Sequence, residues 1–113
     1  MGLKLGWVVI DADNPKSVAR FWAQLLGAHV EDESEEFIEL SLGAAQPRLA
    51  VMRVSDAKTS KSRIHLDLIA EDVDEEVSRA IRLGARRTDI GQDPEEQAVL
   101  IDPAGNEFCI VND

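Results

Sequence analysis

The sequence predicts an α+β fold of two βαβββ modules that form a curved mixed sheet. Three observations lead there. Residues 7–28 read WVVIDADNPKSVARFWAQLLGA and residues 65–85 read HLDLIAEDVDEEVSRAIRLGA, and each runs from an alternating apolar strand through a turn residue into a helix ending in Leu-Gly-Ala. Trp7 stands seven residues before Asn14, as His65 stands seven before Asp72. Each helix is then followed by three short strand candidates. With 113 residues the chain is long enough for one hydrophobic core and too short for two independent ones, so a single domain over 1–113 is expected. Its modules would run over approximately 4–54 and 63–112.

The helices are justified by their ends. Asn14 suits an N-cap, and Pro15 follows at the first helical position, where its missing N–H costs nothing. Val18, Phe21, Trp22, Leu25 and Leu26 then mark one apolar face, with Gly27 suited to a left-handed stop. In the second copy Asp72 caps, and Glu75 three residues on is placed for a capping box. Val77, Ala80 and Ile81, with Val73, form the predicted inner stripe. Asp74, Glu75 and Glu76 open this helix while Arg79 and Arg82 close it, matching the helix dipole.

The strands expected after the first helix are Val30 with its neighbours, Phe37 to Leu42 and Arg48 to Val54. Those after the second are Arg86 to Ile90, Gln97 to Asp102 and Glu107 to Val111. Asp102-Pro103-Ala104-Gly105-Asn106 is a strong turn, and Gly43-Ala44-Ala45-Gln46-Pro47 is its weaker counterpart. The polar stretch 55–62, SDAKTSKS, reads as the linker between modules.

Composition narrows the function classes. Acids outnumber bases 22 to 12, a formal charge of −10, which repels phosphate backbones and anionic membrane surfaces and so argues against nucleic acid. The same acidity suits a cationic ligand, although a solvated acidic surface is the preferred explanation. Cys109 is the single cysteine, which excludes an intrachain disulfide and a cysteine-rich zinc site. No window approaches the roughly 20 apolar residues that span a bilayer, and the first residues lack a secretory signal pattern, so a cytoplasmic protein is expected.

The module order, with VVIDADNPKSVARFWAQLLG, RIHLDLIAEDVDEEVSRAIRLGA and the ending DPAGNEFCIV, resembles the vicinal oxygen chelate superfamily of glyoxalase I, bleomycin-resistance proteins and extradiol dioxygenases, in its glyoxalase-like branch. The resemblance implies a sheet wrapped around a cup, with metal ligands on the first and last strands of both modules in the family's metal enzymes. Aligned through the repeat, those positions are Trp7, His65, Cys109 and about Ala50. A divalent ion needs three or four N, O or S donors, and tryptophan and alanine supply none. A standard metal site is therefore not expected, and a divalent metal would need shifted ligands such as Asp67 or Glu107.

The expected ligand-binding row is Trp7, Asp11, His65, Asp67 and Cys109, with Glu39 as a further member. Strand alternation puts Asp67 on the face of His65, and Asp11 on that of Trp7. Glu107 shares the Cys109 face but lies nearer the turn. Cys109 between Phe108 and Ile110 reads as a buried, inert thiol, against the alternative of a nucleophile activated by His65. Two functions remain open. One is a small-molecule-binding protein without the standard metal site. The other is an enzyme: a metal-dependent lyase or dioxygenase, or a metal-free isomerase with His65 and Asp67 as acid and base. The resemblance also implies a homodimer.

Overall fold

A computed structural model of the chain describes residues 2, 5–55, 58–60, 62, 64–88 and 97–112. The chain divides into two compact units, Met1–Ala57 and Lys58–Asp113. The first contains β1 (Trp7–Ala12), α1 (Pro15–Leu26), β2 (His29–Glu33), β3 (Phe37–Ser41) and β4 (Arg48–Arg53). The second repeats this with β5 (Leu66–Ala70), α2 (Val73–Leu83), β6 (Arg86–Arg87), β7 (Gln97–Ile101) and β8 (Glu107–Asn112). Each unit is thus a βαβββ module with a four-stranded mixed sheet, in the orders β1-β4-β3-β2 and β5-β8-β7-β6. The first and last strands of each module pair in parallel and the remaining pairs are antiparallel. Of the expected strand Arg86 to Ile90, Asp89 and Ile90 lie outside the described residues.

In the first unit one face of the sheet packs against α1. Ile10, Ala12, Ile38, Leu40, Leu49 and Val51 are buried, as are Val18, Phe21, Trp22 and Leu25 of the helix. Phe21 and Trp22 meet edge to face with ring centroids 5.4 Å apart, and both are core residues. Gly27 ends α1 at φ 65°, the left-handed conformation that a Cβ would disfavour. The expected side-chain cap from Asn14 does not form. Its carbonyl accepts from Val18 N–H instead, at 3.4 Å, and from the Ser17 hydroxyl at 3.2 Å. Pro15 has already removed one of the amides needing a partner.

In the second unit Asp72 does cap, accepting the Glu75 N–H at 3.0 Å. Val77 and Ala80 are buried against the sheet, whereas Ile81 is 43% exposed. That corrects the predicted stripe: with only Val77 and Ala80 buried, the contact face is narrower than the apolar pattern, and Ile81 falls at its margin. The Asp102–Asn106 turn is tightly organised. The carboxylate of Asp102, 1% exposed, accepts the N–H groups of Ala104 at 2.9 Å and Asn106 at 2.8 Å, and the Asn106 side-chain amide at 3.2 Å. Such satisfaction is what allows a carboxylate to be buried.

Lys58 and Ser62, read from sequence as linker, are anchored in the second unit. Glu107 accepts from Lys58 Nζ at 2.9 Å and from Ser62 N–H at 2.9 Å. The Lys58 ammonium also donates to the Ser60 carbonyl.

Candidate functional site

In each unit the candidate residues lie on the sheet face opposite that unit's helix. In the first unit, alternation along β1 buries Ile10 and Ala12 and leaves Trp7, Val9 and Asp11 exposed. Register carries that face across the sheet: Val9 lies opposite Ala50, Ala50 opposite Glu39, and Glu39 opposite Asp32. Trp7, the first residue of β1, is 40% exposed, whereas Trp22 is 1% exposed. Its ring tilts against Phe37 with centroids 5.9 Å apart. The guanidinium of Arg48, its partner across β1 and β4, lies over the indole 5.3 Å from the centroid. Arg48 reaches Glu39 only loosely, at 3.6 Å.

Beside this cluster is an open hollow of about 690 Å³, bounded by the approach to β1 (Leu5, Gly6, Trp7) and by the β3–β4 connection leading to Arg48. Gln46 shapes that connection by donating its side-chain amide to the Leu42 carbonyl at 2.9 Å. Gly43, at φ 113°, takes a backbone conformation closed to most side chains.

In the second unit the corresponding row runs from Asp67 to Cys109 to Val99. Asp67 is exposed, and Cys109 is fully buried, as the sequence reading preferred. His65 precedes β5 and is half-buried, with Nε2 3.0 Å from the Ser62 carbonyl. A carbonyl only accepts, so Nε2 carries a proton, and in the neutral ring Nδ1 holds the lone pair. Glu107 opens β8 with its side chain only 10% exposed. Burial pushes its carboxyl pKa up. The hydrogen bonds from Ser62 and Lys58 outweigh that and hold it down at about 2.

The register supports the alignment drawn from the repeat. Val9 and Asp67 are equivalent, counted back from Asn14 and Asp72, and they pair with Ala50 and Cys109. A family model describing a glyoxalase-like domain matches residues 7–111. The chain belongs to that family. It thereby belongs to the vicinal oxygen chelate superfamily, and solved structures share the fold. A glyoxalase/bleomycin resistance protein/dioxygenase family enzyme from Burkholderia phytofirmans superposes with a TM-score of 0.78 at 23% identity, covering 97% of this chain and 98% of that one. The bleomycin-binding protein of Streptomyces verticillus, solved with copper(II)-bleomycin, gives 0.67 at 21% identity over 100% and 99% of the two chains. Glyoxalase I of Leishmania major gives 0.76 at 18% identity over 98% and 87%. No curated protein gives a significant match.

The metal that the family's enzymes use does not fit the residues found here. Trp7 has Arg48 over its ring, Ala50 is a fully buried methyl group, and Cys109 is fully buried. His65 directs a protonated Nε2 at a carbonyl. Glu107, the nearest substitute ligand by sequence, is already neutralised by an ammonium. Among the described residues no three His, Cys, Asp or Glu side chains converge on one point.

Sequence reasoning missed Arg48, Phe37, Lys58 and Ser62. Arg48 had a signal: counting back two residues from Ala50 and Cys109 sets it against Glu107. Lys58 and Ser62 sit in a polar segment without periodicity and gave none.

Proposed function

We propose that this glyoxalase-like protein binds a small molecule on the uncovered sheet faces, without the metal site of the family's enzymes. Trp7, Asp11, His65, Asp67 and Cys109 are the proposed surroundings, and Trp7 carries the reading. A large aromatic ring left 40% exposed, fixed by Arg48 and Phe37 at the edge of a hollow, is a preformed stacking surface. The overall charge of −10 suits a cationic ligand, but the guanidinium already over the indole opposes a second cation at that ring. Sequestration needs only such a surface. A metal-free isomerase is the second reading, and the His65 ring supports it, because its proton is fixed by the Ser62 carbonyl.

Each module's sheet ends on edge strands, β1 and β2 in one and β5 and β6 in the other, which gives a physical reason for the proposed homodimer. Light scattering at micromolar concentration should then give twice the 12.4 kDa chain mass, and a monomer would count against pairing.

Binding is tested by screening a panel of small planar molecules against the ¹⁵N-labelled protein. The expected result is a saturable shift of the Trp7 indole N–H with that of buried Trp22 unmoved. A panel that leaves the Trp7, His65 and Asp67 signals in place contradicts the reading. Elemental analysis after dialysis against zinc, nickel or iron should show no stoichiometric metal. About one metal per chain, lost in His65→Ala, would overturn that part.

A further inference from the structure

We propose that Trp7 and Arg48 form a subsite for the carboxylate of a planar organic acid, entered through the hollow between the approach to β1 and the β3–β4 connection. The proposal rests on the small-molecule reading above and deepens it by fixing the charge and shape of the group received.

The hollow, about 690 Å³, is roomy enough for a substituted aromatic ring. Among the described residues lining it, Arg48 carries the sole charge and none is a carboxylate. The charge that the lining presents to the hollow is therefore the guanidinium's, with the Glu39 carboxylate 3.6 Å from it and outside that lining. Surface charges more than about 8 Å away are largely screened at physiological ionic strength, so the acids elsewhere in the chain weigh little, and the guanidinium, held only loosely by Glu39, is the charged group a ligand in the hollow meets.

Arg48 also has capacity to spare. Its side chain is 61% exposed, and its ion pair to Glu39 uses one terminal nitrogen at 3.6 Å, longer than a good hydrogen bond. A guanidinium presents five donors in a planar fork that matches a carboxylate through two parallel hydrogen bonds. The ring of Trp7 steadies that fork at 5.3 Å and offers a flat apolar surface to the ligand body. Cation and indole are thus prearranged side by side, the pairing that an aromatic or conjugated carboxylate requires. A planar cation meets the opposite situation: it would be brought up against the guanidinium, and like charges repel.

The test titrates the ¹⁵N-labelled full chain with benzoate, benzamidinium and benzyl alcohol, which are similar in size and differ in charge. The Trp7 indole N–H is the reporter, assigned by its loss in Trp7→Phe, and the Trp22 indole is the internal control. Benzoate should shift the Trp7 signal saturably and bind at least about tenfold more tightly than benzamidinium, the scale of one charge-assisted hydrogen bond. Arg48→Gln should weaken benzoate by about tenfold or more, while Arg48→Lys, keeping charge but losing the fork, should restore part of the preference. Benzamidinium binding as tightly as benzoate, benzoate binding that survives Arg48→Gln, or a Trp7 signal that none of the three probes moves would each overturn the subsite. The small-molecule reading would still stand if other members of the panel bound at the uncovered sheet faces, so the two failures are distinguishable.

Discussion

At the start of β1, Trp7 pairs in register with Arg48. At the start of β5, His65 stands just ahead of the Leu66–Phe108 pair, and Glu107 is the β8 residue that precedes Phe108. These two corners are equivalent in the repeat. The first holds a flat ring and an exposed guanidinium whose ion pair is loose, with side chains 61% and 17% exposed at 3.6 Å. The second holds a carboxylate and an ammonium at 2.9 Å, with side chains 10% and 20% exposed, and a backbone N–H completes it. The same backbone frame thus yields an open corner in one unit and a closed one in the other. The closed corner anchors the incoming chain; the open corner is the one proposed to meet a ligand.

Substitutions can break that comparison, beginning with a reference for a true core tryptophan. Trp22→Ala removes a ring 1% exposed and should cost about 3–5 kcal/mol in a urea titration. A loss near 1 kcal/mol would mean the first unit's core does not depend on that ring.

The closed corner should come next. Glu107→Gln preserves shape but removes the charge facing Lys58, leaving a mostly buried ammonium without its counter-ion, and should cost on the order of 2–3 kcal/mol. The pH dependence sharpens the point. The Glu107 carboxyl is held at about 2, below its ordinary value of 4.5, so its stabilisation is fully present above about pH 4.5 and is lost as the pH falls toward 2. Wild-type stability should therefore fall more steeply through that window than that of Glu107→Gln. Parallel curves would show that the Lys58–Glu107 pair contributes nothing.

The open corner should be energetically quiet. Arg48→Gln, at a side chain 61% exposed, should change stability by less than about 0.5 kcal/mol while weakening benzoate binding. A loss comparable to that of Glu107→Gln would make the two corners alike and remove the contrast.

How much of this was legible in the sequence follows from the physics of each feature. The module order was readable because Gly27 and Gly84 close helices of similar length at distances from Asn14 and Asp72 that differ by one residue, and because hydrophobic period distinguishes helix from strand. The equivalence of Ala50 and Cys109 was readable by counting, and the register of β4 and β8 agrees with it. The burial of Cys109 followed from its apolar neighbours. Asn14 misled because a good capping residue does not guarantee a capping geometry, and Ile81 because apolar spacing does not set the width of the contact face. The Arg48–Trp7 stack and the Lys58–Glu107 pair join residues 41 and 49 positions apart. No local pattern encodes such contacts; they depend on strand register and on where the segment before β5 is tied down.

The central claim is that Trp7 is a ligand-facing ring held in place by its neighbours and not a plug that fills the fold. The measurement that tests it most directly is a denaturant titration of Trp7→Ala beside wild type. A ring 40% exposed should cost on the order of 2 kcal/mol, clearly less than Trp22→Ala, with an unchanged slope, while the variant loses the small-molecule binding proposed for that corner. A loss of about 3–5 kcal/mol, equal to that expected for Trp22→Ala, would contradict the claim and place Trp7 in the core.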